Sequence, residues 1–359
     1  MVTLRTLLEE MSKLKASDLH ITAGVPGMFR VDGDLRPSRE SGVLTPDMTQ
    51  RLAYSALSDE QKKQFENRNE LDFSFGVKGL ARFRGNCFVQ RGVVSMVVRM
   101  IPFQVTPFES LGLPSSVASL ADLPRGLVLV TGPTGSGKST TLASLIDRIN
   151  AEKAVHIITI EDPIEFMHSH KRAIINQREV GSDTGNFGEA LRHILRQDPD
   201  VILLGEMRDR ETVETCLRVA ETGHLAFATL HTNSAVETIS RIVDFFPSDQ
   251  HSQVHSQLAF VLKGVVTQAL LPRLNDSGRV AASEVLICTP AVSALIREGK
   301  AHQIYSLMQA GQKFGMHTMN QSLMQLMHRK EISFEDAIAR CPDPKEFEAM
   351  MGRRLTAMA

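Results

Sequence analysis

The sequence predicts an α/β protein of two domains: a small α+β domain, then a mostly parallel sheet with a helical segment behind it. Three observations carry that expectation. At 359 residues the chain exceeds one typical core. Up to residue 100 the strand-like segments are separated by short turn signals, the pattern of an antiparallel sheet. From residue 125 onward strand-like and helix-like segments alternate, which implies a parallel sheet with helices on both faces.

Taken in order, Leu4, Leu7, Leu8, Met11 and Leu14 follow helical spacing and open the chain with an amphipathic helix. Asp18–Ile21 and Met28–Val31 read as short strands around the turn at 24–27, with a hairpin tip at 31–34. Residues 45–69 are helical and polar. Residues 71–75, Ala81–Gln90 and 93–100 are β-rich, parted by Lys78-Gly79 and Arg91-Gly92. Residues 1–100 are therefore the α+β domain. Prolines at 102, 107, 114 and 124 mark 101–124 as a linker. In the core at 125–289, strands are expected at 127–130, 156–160, Val201–Leu204 and 225–229, with helices at 139–150, 187–196 and 211–221. Helical patterns at 290–298, 318–328 and 333–340 make 290–359 a C-terminal helical subdomain.

Composition narrows the function. Lys and Arg number 40 against 41 Asp and Glu, so no global basic field exists to hold nucleic acid. The absence of Trp and the presence of only 2 Tyr also leave few base-stacking platforms. Cys87, Cys216, Cys288 and Cys341 lie far apart and form no CxxC pair, which speaks for buried thiols in a reducing compartment. Glu9 and Glu10 interrupt the opening helix, so it does not read as a signal peptide, and no apolar run approaches the ~18–20 residues of a bilayer span. A cytoplasmic protein is expected.

Gly132-Pro133-Thr134-Gly135-Ser136-Gly137-Lys138-Ser139 matches the phosphate-binding loop G-x-x-x-x-G-K-S/T, between a buried strand and a helix that continues through Thr140. Glycines let successive N–H groups curl round phosphates, and the helix start favours negative charge. Lys138 is expected on the β- and γ-phosphates of ATP, and the Ser139 hydroxyl on Mg²⁺.

Acids follow at strand ends, where ligands of open α/β sheets collect. One cluster runs from Glu161 to Glu165, and the other is Gly205-Glu206. Gly205 stands where a generic P-loop enzyme has Asp, so Glu206 must polarise water or hold Mg²⁺. Glu206, Glu165 and Lys138 are the catalytic candidates. A solvated helix cap for Glu206 and salt-bridged loop acids for Glu161 and Glu165 are the bland alternatives. His224 and His231 bracket one strand, and both ends are read as able to approach the nucleotide. Arg82, Arg84 and Arg99 share one face of the first domain. They form either a solvated, edge-protecting surface or a grip on phosphate.

GPTGSGKSTT, TIEDPIEF, INQREVG, LRQDPDVILLGEMRD, TGHLAFATLHTNSA and REGKAHQIYSLMQAGQKFGM, in this order, resemble the type IV pilus and type II secretion ATPases. The likeness also takes in SDLHI and ARFRGNCFVQRG near the N-terminus. It implies a cytoplasmic homohexamer at the inner-membrane base of a pilus machine. It further implies a PAS-like domain, a RecA-like ATPase domain and ATP bound between them. Gly132 to Thr140 would be the Walker A loop, Glu161 to Glu165 the Asp box, and Gly205-Glu206 an atypical Walker B with Glu206 catalytic. His224 and His231 would form the His box, and Arg82, Arg84 and Arg99 would face the nucleotide. An inner-membrane platform protein and a second pilus ATPase are the implied partners.

The family's AIRNLIRE helix reads Ala291-Val-Ser-Ala-Leu-Ile-Arg-Glu298 here, altered in its first half. Extension-type relatives carry an extra N-terminal domain and a four-cysteine zinc element. Neither is expected in this chain, which favours the retraction branch. An accessory pilus motor, a nucleic-acid translocase and a non-hydrolysing nucleotide-gated regulator are the rivals.

Overall fold

The computed structural model describes residues 2–31, 33–101, 105–274 and 278–358, with 353–358 by backbone alone. Asp32 of the expected hairpin tip and Pro102 of the expected linker lie outside the described residues. The chain divides into two units, Met1–Gln104 with Glu165–Met167, and Val105–Ile164 with His168–Ala359.

In the first unit, α1 (Leu4–Lys13) starts at Thr3, whose side chain accepts the Thr6 N–H. Its apolar stripe buries Leu4, Leu7, Leu8 and Met11. The stretch expected to be helical at 45–69 is two helices, α2 (Pro46–Tyr54) and α3 (Asp59–Arg68). Ser58 explains the break: it forms a capping box with Gln61 and restarts the chain as a new helix. The six strands are β1 (Asp18–Ile21), β2 (Met28–Val31), β3 (Asp34–Pro37), β4 (Glu70–Val77), β5 (Ala81–Gln90) and β6 (Val93–Ile101). They form an antiparallel sheet in the order β3-β2-β1-β6-β5-β4. Alternation along β5 sends Phe83 and Cys87 into a core with Leu8, Phe29, Phe65 and Met96.

The second unit opens with the single turn α4 (Ser115–Ala118). Phe108, Val117 and Leu120 of this stretch are buried against the sheet. The sheet contains β7 (Gly126–Thr131), β8 (His156–Glu161), β9 (Ile174–Glu179), β10 (Val201–Leu204), β11 (Leu225–Leu230), β12 (Leu262–Pro272) and β13 (Arg279–Ile287). The order is β13-β12-β7-β11-β10-β8-β9, parallel throughout except for the β12–β13 pair. Helices are α5 (Lys138–Glu152), α6 (Phe187–Ile194), α7 (Arg210–Glu221), α8 (Ala235–Asp244) and α9 (His251–Val261). The expected segments of this core agree with the observed ones to within two residues at their ends.

Both faces of the sheet are covered. Leu127 and Leu129 of β7 point into a cluster with Ile194 of α6, Leu217 of α7, Ile239 of α8 and Leu258 of α9. Val128 and Val130 point the other way, onto Leu142, Leu145 and Ile149 of α5. This two-sided burial makes β7 apolar throughout. Beyond it lie α10 (Pro290–Arg297), α11 (Ile304–Ala310), α12 (Met319–His328), α13 (Phe334–Arg340) and α14 (Pro344–Met358). Met319, Leu323 and Phe347 of this group bury Leu271 and Val280 at the far end of β12 and β13. Among the described residues no helix is long and apolar enough to cross a membrane.

Candidate nucleotide-binding site

The parallel register brings the carboxyl ends of β7, β11, β10 and β8 to one edge, pairing Leu230 with Thr131 and Leu204 with both Ala228 and Ile160. The glycine-rich loop leaves β7 there. Gly132, Gly135 and Gly137 have φ of 135°, 78° and 92°, a region L side chains rarely adopt. A Cβ on Gly132 would also collide with the Gln268 carbonyl and lie 2.7 Å from the Ser136 hydroxyl. Gly137 is the N-cap of α5 and provides no side-chain cap, so the amides of the first turn keep their pull on an anion. Lys138 Nζ donates to the carbonyls of Gly132 at 2.8 Å and Pro133 at 3.0 Å. Burial lowers its pKa from the usual lysine value, and the charge of Glu206 partly restores it. Ser139 is exposed on the first turn, beside Thr140.

Glu161 ends β8, buried, its Oε1 accepting from Thr159 Oγ1 at 2.7 Å and Gln177 Nε2 at 3.3 Å. Gly205, next along from β10, presses against it: a Cβ there would lie 3.3 Å from Glu161 Cα. The neighbouring strand thus leaves only a tight fit for a side chain at this position. Thr229 Oγ1 donates to the Gly205 carbonyl at 2.5 Å. Glu206 follows, with Oε1 3.1 Å from His231 Nε2 and Oε2 accepting from Arg208 Nε at 2.9 Å. Arg208 also lies 3.5 Å from Asp162. Lys138, Glu206 and His231 therefore gather on one edge around the loop.

His224 does not join them. It precedes Leu225, which pairs with Gly126 at the start of β7, whereas His231 follows the pair Leu230 and Thr131 at its end. Six strand residues at roughly 3.3 Å each put about 20 Å between the two ends. His224 Nδ1 lies 3.1 Å from the Val219 carbonyl and from Thr222 Oγ1. The expectation that both ends of this strand approach one nucleotide is thus not met within the chain, because a parallel sheet offers only its carboxyl ends to the loop. Glu165 is exposed and belongs to the first unit.

In that unit, Arg82 and Arg84 stand on the face of β5 opposite Phe83. Arg84 is paired directly with Arg99 of β6. Arg99 donates to buried Asp18 at 2.8 Å, Arg82 reaches Ser74 Oγ at 3.4 Å, and Arg84 is exposed. Sequence reasoning missed Arg208, Thr229 and Gln268. Arg208 had a signal, since it stands two places after Glu206 in the same segment. Gln268 had none.

A family model described as "Type II/IV secretion system protein" matches residues 2–338. The chain belongs to that family. Its architecture is the type II/IV secretion family's N-terminal α+β domain followed by a RecA-like domain. The Pseudomonas aeruginosa "Type IV pilus retractation ATPase PilT" is 50% identical, covering 95% of this chain and 98% of that protein. The "Type IV pilus ATPase PilU" of the same organism is 43% identical over 96% of this chain and 90% of its own. A solved structure, "Crystal Structure of the Pilus Retraction Motor PilT and Bound ADP", superposes with a TM-score of 0.91 at 52% identity, covering 97% of this chain and all of that one.

Proposed function

We propose that this chain is an Mg²⁺-dependent ATP hydrolase that drives retraction of a type IV pilus. The observation that carries the reading is the grouping of Lys138, Glu206 and His231 round the loop. It occurs in a chain half identical, end to end, to a retraction ATPase.

In this reading the backbone N–H groups from Gly132 to Thr140, except at position 133, where proline has none, cradle the phosphates. Lys138 exchanges its two loop carbonyls for β- and γ-phosphate oxygens. The Ser139 hydroxyl and the Glu206 carboxylate are hard oxygen donors of the kind Mg²⁺ takes, and both lie at the loop's edge. The ion would supply charge neutralisation on the phosphates. Glu206 orients and deprotonates the attacking water, held at one oxygen by His231 and at the other by Arg208. Glu161 supports this edge from β8, and Glu165 acts as a second acid. Arg82, Arg84 and Arg99 grip phosphate, which for Arg99 requires release from Asp18. The working form is a homohexamer on the cytoplasmic side of the inner membrane, against a platform protein at the pilus base.

Turnover tests the reading. Lys138→Ala should abolish tight ATP binding. Glu206→Gln should bind ATP and hydrolyse it about 10²–10⁴-fold more slowly. Chelation of Mg²⁺ should stop the wild type. Near-normal turnover in Glu206→Gln would remove that residue from the mechanism.

A second reading is an accessory motor beside another pilus ATPase, and the observation that favours it is the altered α10. There Val292 is buried, so an aliphatic residue keeps the helix in place, Ser293 and Ala294 are half-buried, and the exposed Ala291 is shared with the family's helix. The departure from the family's helix thus falls on residues 292–294, which are all at least half-buried, and not on its exposed end.

A further inference from the structure

Glu284, in the middle of β13, is 1% exposed, and among the described residues no cation is paired with it. Such a carboxylate is costly unless its oxygens are hydrogen-bonded. Both are. Oε1 accepts the Ala235 N–H at 2.7 Å, and Oε2 accepts the Met319 N–H at 3.4 Å. Ala235 and Met319 are the first residues of α8 and α12, whose caps Ser234 and Thr318 satisfy other amides. One carboxylate therefore receives an uncapped amide, and the positive end, of two helices. Burial raises its pKa, and these two hydrogen bonds oppose the rise.

The position of Glu284 gives the arrangement its consequence. Leu230 of β11 pairs with Thr131 of β7, Thr131 with Thr267 of β12, and Thr267 with Glu284. The four residues form one row across the sheet, and the Thr131 and Thr267 hydroxyls meet at 2.8 Å. Thr131 is the last residue before the phosphate loop, and Leu230 the last before His231. From His231 the chain reaches α8 in four residues, and that link is braced. Thr232 Oγ1 lies 2.7 Å from Thr238 Oγ1, and the Asn233 N–H donates to Glu237 at 2.7 Å. The first turn of α8 and the loop carrying His231 are thus tied together by two hydrogen bonds. On the other side, Asn320 of α12 donates to Glu346 of α14 at 2.7 Å, and Tyr305 of α11 donates to the same oxygen at 2.5 Å. The amino end of α12 is thereby fixed to the C-terminal helices.

We propose that Glu284 is a positioning residue of the hydrolysis site, joining the C-terminal helices to the His231–Glu206 pair through the amino ends of α12 and α8. The proposal rests on the reading of Glu206 as the residue that activates water. Glu284 touches neither nucleotide nor water and acts only through His231.

Two variants of the full-length chain test it. Glu284→Gln keeps the volume but turns an NH₂ toward one of the two amides. Ala235→Pro deletes the α8 amide at a helix position where proline is tolerated, and Ser234, at φ −152° and ψ 161°, already has the conformation a residue before proline takes. Each should keep a cooperative melting curve and its KM for ATP while kcat falls about ten- to a hundredfold, the cost of a small misplacement. Set in a His231→Ala background, Glu284→Gln should change kcat by less than about twofold, since the two residues lie on one line of action.

Wild-type kcat in both folded variants would overturn the proposal. So would an undiminished effect of Glu284→Gln in the His231→Ala background, which would mark a purely structural role. Should neither variant fold, hydrogen exchange on the unaltered chain decides. Adding ADP should change the protection of the Ala235 and Met319 amides together, and no change at either would refute the coupling. A wild type that binds ATP without turning it over would instead sink the proposed function, before any variant is compared.

Discussion

Gly132 shows how much of this site is decided by single residues. Its φ of 135° and the Gln268 carbonyl packed against its Cα leave no room for a side chain. Gly132→Ala should therefore cost more than the ~1 kcal/mol of an ordinary strained glycine replacement, because backbone of β12 would have to shift. ATP affinity should fall at least about tenfold, equivalent to ~1.4 kcal/mol, and the melting temperature should drop by about 2–4 °C, because Gln268 belongs to β12 of the sheet. Titration with a fluorescent nucleotide measures this, and unchanged affinity would show that the loop adapts. At this scale the sequence was most legible where residue type and spacing are both dictated by chemistry, as from Gly132 to Ser139. It was least legible where a contact depends on the neighbouring strand. The tight approach of Glu161 to Gly205 needs the pairing of β8 with β10, and the engagement of Arg99 by Asp18 needs that of β1 with β6.

Among elements, α5 links the phosphate loop to the rest of its unit, and at its far end a buried side chain joins it to the 169–171 segment. Asn150, fully buried, donates to the Ser169 carbonyl at 2.7 Å and accepts from the Lys171 amide at 3.1 Å. Its own carbonyl accepts from Arg172 and Ala173. Asn150→Ala should destabilise the second unit by about 1–3 kcal/mol, because two backbone groups of the 169–171 segment lose their partner. Urea unfolding measures the loss, and a change under about 0.5 kcal/mol would mean that the backbone contacts alone suffice. Element type was readable for β7, β8, β10 and β11, which are short apolar runs between turn signals. It was not readable for β12, because α9 ends at Val261 and β12 begins at Leu262 with no breaker between them. A continuous apolar run of that kind suits helix and strand equally. β9 was hidden for another reason: at the sheet edge it alternates exposed and buried residues too briefly to stand out. Parallel strands assign only the carboxyl end of β11 to the loop of the same chain, which places His231 there and His224 at the opposite end.

For the whole molecule, the similarity to pilus motors spans nearly the full length of both chains, and the account stands or falls on what the motor does to a filament. Retraction and extension motors share their ATP chemistry, so no turnover assay separates them. Cells do, because the two failures have opposite signs. The measurement is the number of surface pili, together with twitching, after deletion of the gene and after complementation with the wild type or with Glu206→Gln. Pili should accumulate on non-twitching cells, and the wild type should reverse this whereas Glu206→Gln should not. Normal pili with weakened twitching would assign the accessory role. Bald cells after deletion would contradict the retraction assignment outright.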